Sequence, residues 1–125
     1  MLHKDLTDKI LKAFYTVYNT LGYGFLEKVY ENALVLELHE IGLHAEPQQK
    51  IVVRYKDQSV GDYFADVVVN NTVIIELKAA EALRDEHKAQ LLNYLKATDK
   101  EVGLLLNFGK RPEFKRVIFT NNRKK

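Results

Sequence analysis

Apolar positions along the chain follow two different periods. Leu6, Ile10, Phe14, Val17 and Leu21 recur at helical spacing, and Gly22 follows where a left-handed helix terminator is usual, so the pattern predicts a helix over 5–21. A second helical pattern runs from about Leu26 to Ile41 and stops at Gly42, which leaves Gly22, Tyr23 and Gly24 as a tight connection. Beyond Pro47 the pattern changes to β-branched and aromatic runs, at Lys50–Tyr55, Val60–Val69 and Thr72–Lys78. Polar turns at Lys56–Ser59 and at Asn70 and Asn71 separate them, which predicts an antiparallel meander. Helical spacing returns over 83–97 with Leu83, Leu91, Leu92 and Leu95 on the buried side. Val102–Phe108 then reads as a buried strand, and Phe114–Phe119 as another. Strand, helix, strand over 72–108 implies a right-handed parallel crossover. The fold class expected is α/β, a mixed sheet covered by helices.

Composition narrows this picture. The 125 residues are 46% hydrophobic and 29% charged, which fits one ordinary globular domain over 1–125 and excludes disorder. No internal repeat or low-complexity linker divides it. Absence of cysteine removes thiol nucleophiles, disulfides and thiolate zinc sites, and suits a reducing cytoplasm. Met1–Asp8 is polar rather than signal-like, and no stretch approaches the ~20 apolar residues of a membrane span, so a cytoplasmic protein with no membrane partner is expected.

Charge is uneven. Residues 110–125 hold seven Lys/Arg against Glu113, a local +6, which leaves −4 for residues 1–109 within a net of +2. The basic end, with a tail at about 120–125, could hold a polyanion or could be a solvated terminus.

Three charges lie inside runs that otherwise read as core. Asp66 follows Phe64 and Ala65 and precedes Val67, Val68 and Val69; Glu76 and Lys78 follow Val73, Ile74 and Ile75. Burying an unpaired carboxylate costs several kcal/mol, so such groups are normally paired or bound to metal. Two carboxylates beside a lysine suit a magnesium site for phosphodiester hydrolysis, with the lysine orienting or deprotonating water or screening phosphate. An internal salt bridge of Lys78 with Asp66 or Glu76 is the alternative. The turn decides between faces: a two-residue loop at Asn70 and Asn71 would turn Asp66 away from Glu76, whereas a three-residue loop or a bulge sets them opposite.

Further polar residues interrupt the helical patterns. Glu27 heads a stripe continued by Tyr30, Leu34, Leu38 and Ile41, where the helix dipole alone would accommodate it. His87, Gln90 and Tyr94 form a polar strip beside the leucine face of the third helix, or simply its boundary. The Gly22-Tyr23-Gly24 loop lacks the third glycine of a dinucleotide loop and follows a helix, no P-loop is present, and the four histidines lack zinc-ligand spacing.

Together these segments resemble a known family. Gly24-Phe25-Leu26-Glu27-Lys28-Val29-Tyr30 fits the GxxExxY pattern of a family assigned to the PD-(D/E)XK nuclease superfamily, and Glu31-Asn32-Ala33-Leu34 continues the likeness. The strand at Ala65-Asp66, Glu76-Leu77-Lys78, the helix segment Gln90–Leu95 and Gly103–Gly109 are similar too, in the same order, over about residues 5–119. The resemblance implies a restriction-endonuclease-like sheet flanked by helices and a nuclease acting on nucleic acid, DNA before RNA. It implies Mg²⁺ or Mn²⁺ on Asp66 and Glu76 with the Leu77 carbonyl, Lys78 as catalytic lysine, and Glu27 as a further metal or water ligand. Gln90 and Tyr94 resemble the QxxxY element of RecB-like members, and with Tyr30 and His87 they are the expected accessory or nucleic-acid contacts. Ala65 stands where the superfamily often has proline. The rivals are a catalytically weak nuclease-like module that binds nucleic acid or a protein partner, and a homodimer whose acidic cluster is a salt-bridge network.

Overall fold

In the computed structural model, which describes residues 1–124, two helices come first, α1 (Lys4–Leu21) and α2 (Glu27–Glu40). The meander follows as β1 (Ala45–Tyr55), β2 (Gln58–Val69) and β3 (Val73–Lys78), then α3 (Asp85–Lys96), β4 (Val102–Phe108) and β5 (Pro112–Ile118). α1 stops as the pattern predicts: Gly22 takes a φ of 68° and donates its N–H to the Tyr18 carbonyl. β1 begins five residues before the predicted start at Lys50, because Ala45, Glu46 and Pro47 pair with Val69, Val68 and Val67. No hydrophobic alternation marks that stretch, and Pro47 is tolerated because β1 is an edge strand.

The five strands lie in sequence order β1-β2-β3-β4-β5, with β3 and β4 parallel and all other neighbours antiparallel. The mixed sheet therefore contains the expected parallel crossover through α3. β4 is buried along its whole length because helices cover both of its faces.

Each face has its own core. On one, Ile10, Phe14, Tyr30, Leu34 and Leu38 of α1 and α2 pack on Val67, Ile75, Leu77, Leu104 and Phe108. On the other, Leu91, Tyr94 and Leu95 of α3 pack on Ala65, Val68, Ile74, Leu105 and Val117. Each such large side chain contributes roughly 1.5–3 kcal/mol by leaving water. α3 approaches β4 so closely that a Cβ on Gly103 would meet Leu91 at 2.8 Å.

The turns settle the register. Tyr55 pairs with Gln58 around Lys56 and Asp57, whose φ values of 51° and 63° make the two-residue hairpin that suits strand twist. Val69 pairs with Val73, so the β2–β3 loop has three residues, Asn70, Asn71 and Thr72. Both asparagines have positive φ, 51° and 52°, and the Asn70 side chain accepts the His44 N–H at 2.8 Å.

The basic end is tied down rather than free as far as it is described. Lys124 donates to the carbonyls of Thr98 and Lys100 at 3.0 and 2.6 Å, and the Arg123 guanidinium lies 4.6 Å from the Phe119 ring centroid. Lys125 of the expected tail lies outside the described residues. No helix among those described is long and apolar enough to cross a membrane.

Candidate active site

The register that begins at Val69 and Val73 runs through Val67 and Ile75 and then places Asp66 opposite Glu76. At this point the ladder changes character. The Glu76 carboxylate accepts the Asp66 N–H at 2.8 Å, and the Asp66 carboxylate accepts the Leu77 N–H at 2.8 Å. Side-chain oxygens thus replace carbonyls as partners of two strand amides. One oxygen of each carboxylate is used in this way, and Oδ1 of Asp66 and Oε1 of Glu76 have no protein partner among the described residues.

Asp66 also marks the place where two strands turn over. Ala65 packs on the α3 side and Val67 on the α1/α2 side, although two residues apart on a regular strand they would share a face. β1 does the same between Ala45 and Ile51. Gln48, which the flanking pairs Pro47↔Val67 and Gln49↔Ala65 set opposite Asp66, has a φ of 56°, a left-handed conformation uncommon for a side chain of this type. Gln48, Asp66 and Glu76 therefore form one row across three strands.

The row is held from α2. Glu31 is buried, and its two oxygens accept from Gln48 Nε2 at 2.7 Å and from Lys28 Nζ at 2.6 Å. Neither Glu31 nor Gln48 emerged from the sequence reading as a site residue. A signal existed for Glu31, since it stands one turn from Glu27 in register with Leu34 and Leu38; nothing in sequence announces the backbone of Gln48.

Electrostatics concentrate on the pair. Burial pushes the Glu76 carboxyl up to about 8, with the Asp66 charge adding to the effect and the Asp66 N–H and Lys78 opposing it. Burial likewise raises Asp66, opposed by the Leu77 N–H and Lys78 and reinforced by the charges of Glu31 and Glu27. Lys78 ends β3 beside its parallel partner Asn107. It forms no ion pair with Asp66 or Glu76 within 4 Å, so the salt-bridge alternative is absent among the described residues.

Segments around Lys78 are fixed by Asn107, a fully buried polar residue in an otherwise apolar strand. Its Oδ1 accepts the Ala80 N–H and its Nδ2 donates to the Ala80 carbonyl, both at 2.9 Å, so the side chain prolongs the β3–β4 ladder past Lys78. Gly109 lies so close to Ala80 that a Cβ there would collide with its carbonyl. The Asn107 side chain was also missed, although one amide within Val102–Phe108 was the visible signal.

The remaining expected residues are distributed differently. Glu27 is exposed on the first turn of α2 and acts on Asp66 and Glu76 through its charge, with no hydrogen bond to either among the described residues. Tyr30, expected as a nucleic-acid contact, is instead fully buried: its ring stacks on Phe108 at 4.2 Å, and its hydroxyl donates to the Gly22 carbonyl and accepts the Phe25 N–H. An amphipathic stripe reports that a position faces inward, and Tyr30 does so completely. His87 uses Nδ1 to accept the Arg84 N–H at 3.1 Å, which closes the first turn of α3. Tyr94 packs with Ala65 and Ile74 in the α3 core, and burial, reinforced by the charges of Glu76, Asp66 and Tyr63, holds its hydroxyl up to about 12. Gln90, one turn earlier, lines a groove together with it.

No group of three or more His, Cys, Asp or Glu side chains forms a metal cage among the described residues. Two carboxylates with one unengaged oxygen each nonetheless fit a small hard cation, which typically takes one or two carboxylates and completes its shell with water or phosphate.

A search of curated proteins finds no match. Among solved structures, the crystal structure of SSO0001 superposes with a TM-score of 0.57 at 19% identity, over 74% of this chain and 50% of that one. The chain thus spans half the length of that protein, and the likeness is one of fold. The family model described as the PD-(D/E)XK nuclease superfamily matches residues 4–117, nearly all of the sheet and its three helices. The chain belongs to the PD-(D/E)XK nuclease superfamily.

Proposed function

We propose that the protein is a metal-dependent nuclease of the GxxExxY type that hydrolyses phosphodiester bonds, in DNA before RNA. The observation that carries this reading is the juxtaposition of Asp66 and Glu76 in one row, next to Lys78, with one oxygen of each acid and the lysine all free of protein ion pairs or hydrogen bonds among the described residues. Mg²⁺ or Mn²⁺ bound there would supply Lewis acidity and a hydrolytic water of lowered pKa.

The chain's own groups have definable tasks in that reaction. Asp66 and Glu76 hold the cation, with the Leu77 carbonyl as a further oxygen, and their mutual repulsion makes the empty pair costly and the loaded pair favourable. Lys78 screens the negative charge that grows on the phosphate and can orient the attacking water. Glu27 adds negative charge near the pair and would take a proton from water or bind it. Gln90 and Tyr94 are the nucleic-acid side of the site.

Cleavage of single-stranded, duplex and branched DNA and of RNA, with EDTA, Mg²⁺ or Mn²⁺, tests the proposal when run beside Lys78→Ala. Lys78→Ala should lose at least about 100-fold in turnover while still binding metal, and Asp66→Ala should lose both. Equal rates for wild type and Lys78→Ala would mean a contaminating activity or another mechanism.

A further inference from the structure

One groove borders the acidic row without containing it. It has a volume of about 560 Å³ and lies between β1, β2 and α3, with Tyr63 on one wall and Gln90, Asn93 and Tyr94 on the other. Pockets of ~300–1,000 Å³ suit small planar ligands or a few units of a polymer.

Its lining has a definite chemistry. Tyr63 is 48% exposed, and its ring stands 5.7 Å from that of Tyr94, which is itself buried in the α3 core. Tyr63 is thus a fixed aromatic plane braced from behind. Arg54 and Lys96 stand on the lining, against a single carboxylate, Glu86, that already faces Arg84 at 4.0 Å. Lys96 is steered by the Phe119 ring, 5.5 Å from its Nζ, and Arg54 has no ion pair among the described residues. Gln90 and Asn93 bring side-chain amides, which can donate to and accept from base edges.

An exposed ring flanked by cations and amides matches an unpaired nucleotide strand. The base lies on the ring, the phosphates meet the cations, and sequence matters little because every base has a π face. Duplex DNA keeps its base faces stacked internally and offers nothing to Tyr63. The groove also leads toward the acids, since Tyr94 lines it and packs in one cluster with Ala65, the residue before Asp66, and with Ile74, two residues before Glu76 on the same strand face.

We infer that this groove is a binding channel for single-stranded nucleic acid, with Tyr63 as the stacking platform and Arg54 and Lys96 as phosphate contacts, feeding an unpaired strand to Asp66 and Glu76. The inference rests on the nuclease reading for its last step only, because binding in the groove needs neither metal nor turnover.

Fluorescence anisotropy of the full chain in EDTA separates the two. A labelled oligo-dT should bind at least about tenfold tighter than a blunt duplex of equal length. Tyr63→Ala should weaken oligo-dT about tenfold and leave duplex binding unchanged, with Tyr63→Phe restoring it. Arg54→Ala should reduce the log–log salt slope by about 0.7, one phosphate contact on a single strand. Equal affinity for duplex and single strand, or a Tyr63→Ala protein that binds oligo-dT as wild type does, overturns the channel. Normal oligo-dT binding with no metal-dependent cleavage of any substrate would sink the nuclease reading and leave the channel standing.

Discussion

The Glu76 carboxylate accepts the backbone N–H of Asp66 across the β2–β3 ladder at 2.8 Å, so the two acids of the site are locked to each other through a strand amide. Asp66 returns the interaction to the Leu77 N–H. Such reciprocal locking keeps two like charges together where a flexible pair would separate, and it fixes the direction of the oxygens that remain.

Glu76→Gln should expose the cost of that arrangement. The amide oxygen can still accept the Asp66 N–H, whereas the repulsion with Asp66 disappears. The metal-free variant should melt higher than wild type at pH 8, by at least about 4 °C, the shift of roughly 1 kcal/mol in a domain of this size. Addition of Mn²⁺ should raise the wild-type midpoint and leave the variant unmoved.

The pH dependence of the metal-free protein follows from the same pair. Glu76 is held up to about 8 against an ordinary 4.5, so between those values the native chain keeps a proton that the unfolded chain releases. Stability must therefore fall as pH rises through this window, and level off above it. Asp66, also raised, contributes with the same sign. Thermal melts from pH 4.5 to 8.5 in EDTA should show this decline, and saturating Mn²⁺ should flatten it by favouring the ionised carboxylates. A decline of equal slope in Glu76→Gln would refute the assignment to this group.

Gln48 should matter for turnover more than for folding. Its φ of 56° is one that glycine adopts freely, so Gln48→Gly relieves the backbone while removing the hydrogen bond to Glu31. The variant is expected to remain folded by circular dichroism and to lose about tenfold or more in kcat, because Glu31 and Asp66 lose their common spacer. Wild-type kcat in Gln48→Gly would show that the row across β1, β2 and β3 is merely structural.

Asn107→Leu removes the clasp on Ala80 and leaves two half-buried backbone groups without their protein partners. The expected loss is about 1–3 kcal/mol of stability, read from urea unfolding, together with faster amide exchange at Ala80. Exchange at Ala80 unchanged from wild type would contradict the role given to this side chain.

Much of the architecture was legible because long elements with one buried face impose their period on sequence. The helix ends at Gly22 and Gly42, the apolar run of β4 and the parallel crossover all follow from such patterns. The beginning of β1 was not, since Glu46 to Gln49 pair through their backbones and owe their place to β2 rather than to their side chains. Tyr30 shows a different limit. Its stripe foretold the inward direction, but only packing on Phe108 distinguishes a core ring from one at a surface.

By itself the sequence determined which charges were anomalous: Asp66, Glu76 and Lys78 stand in strands where solvation would be lost, and that holds in any fold that buries those strands. Tertiary structure decided how they meet. The three-residue loop at Asn70–Thr72 sets the register, the turnover of β1 and β2 at Gln48 and Asp66 aims the carboxylates, and α2 delivers Glu31 from residues far away in the chain. Register and facing depend on contacts between segments, and a hydrophobic period within one segment carries no information about its neighbour's phase.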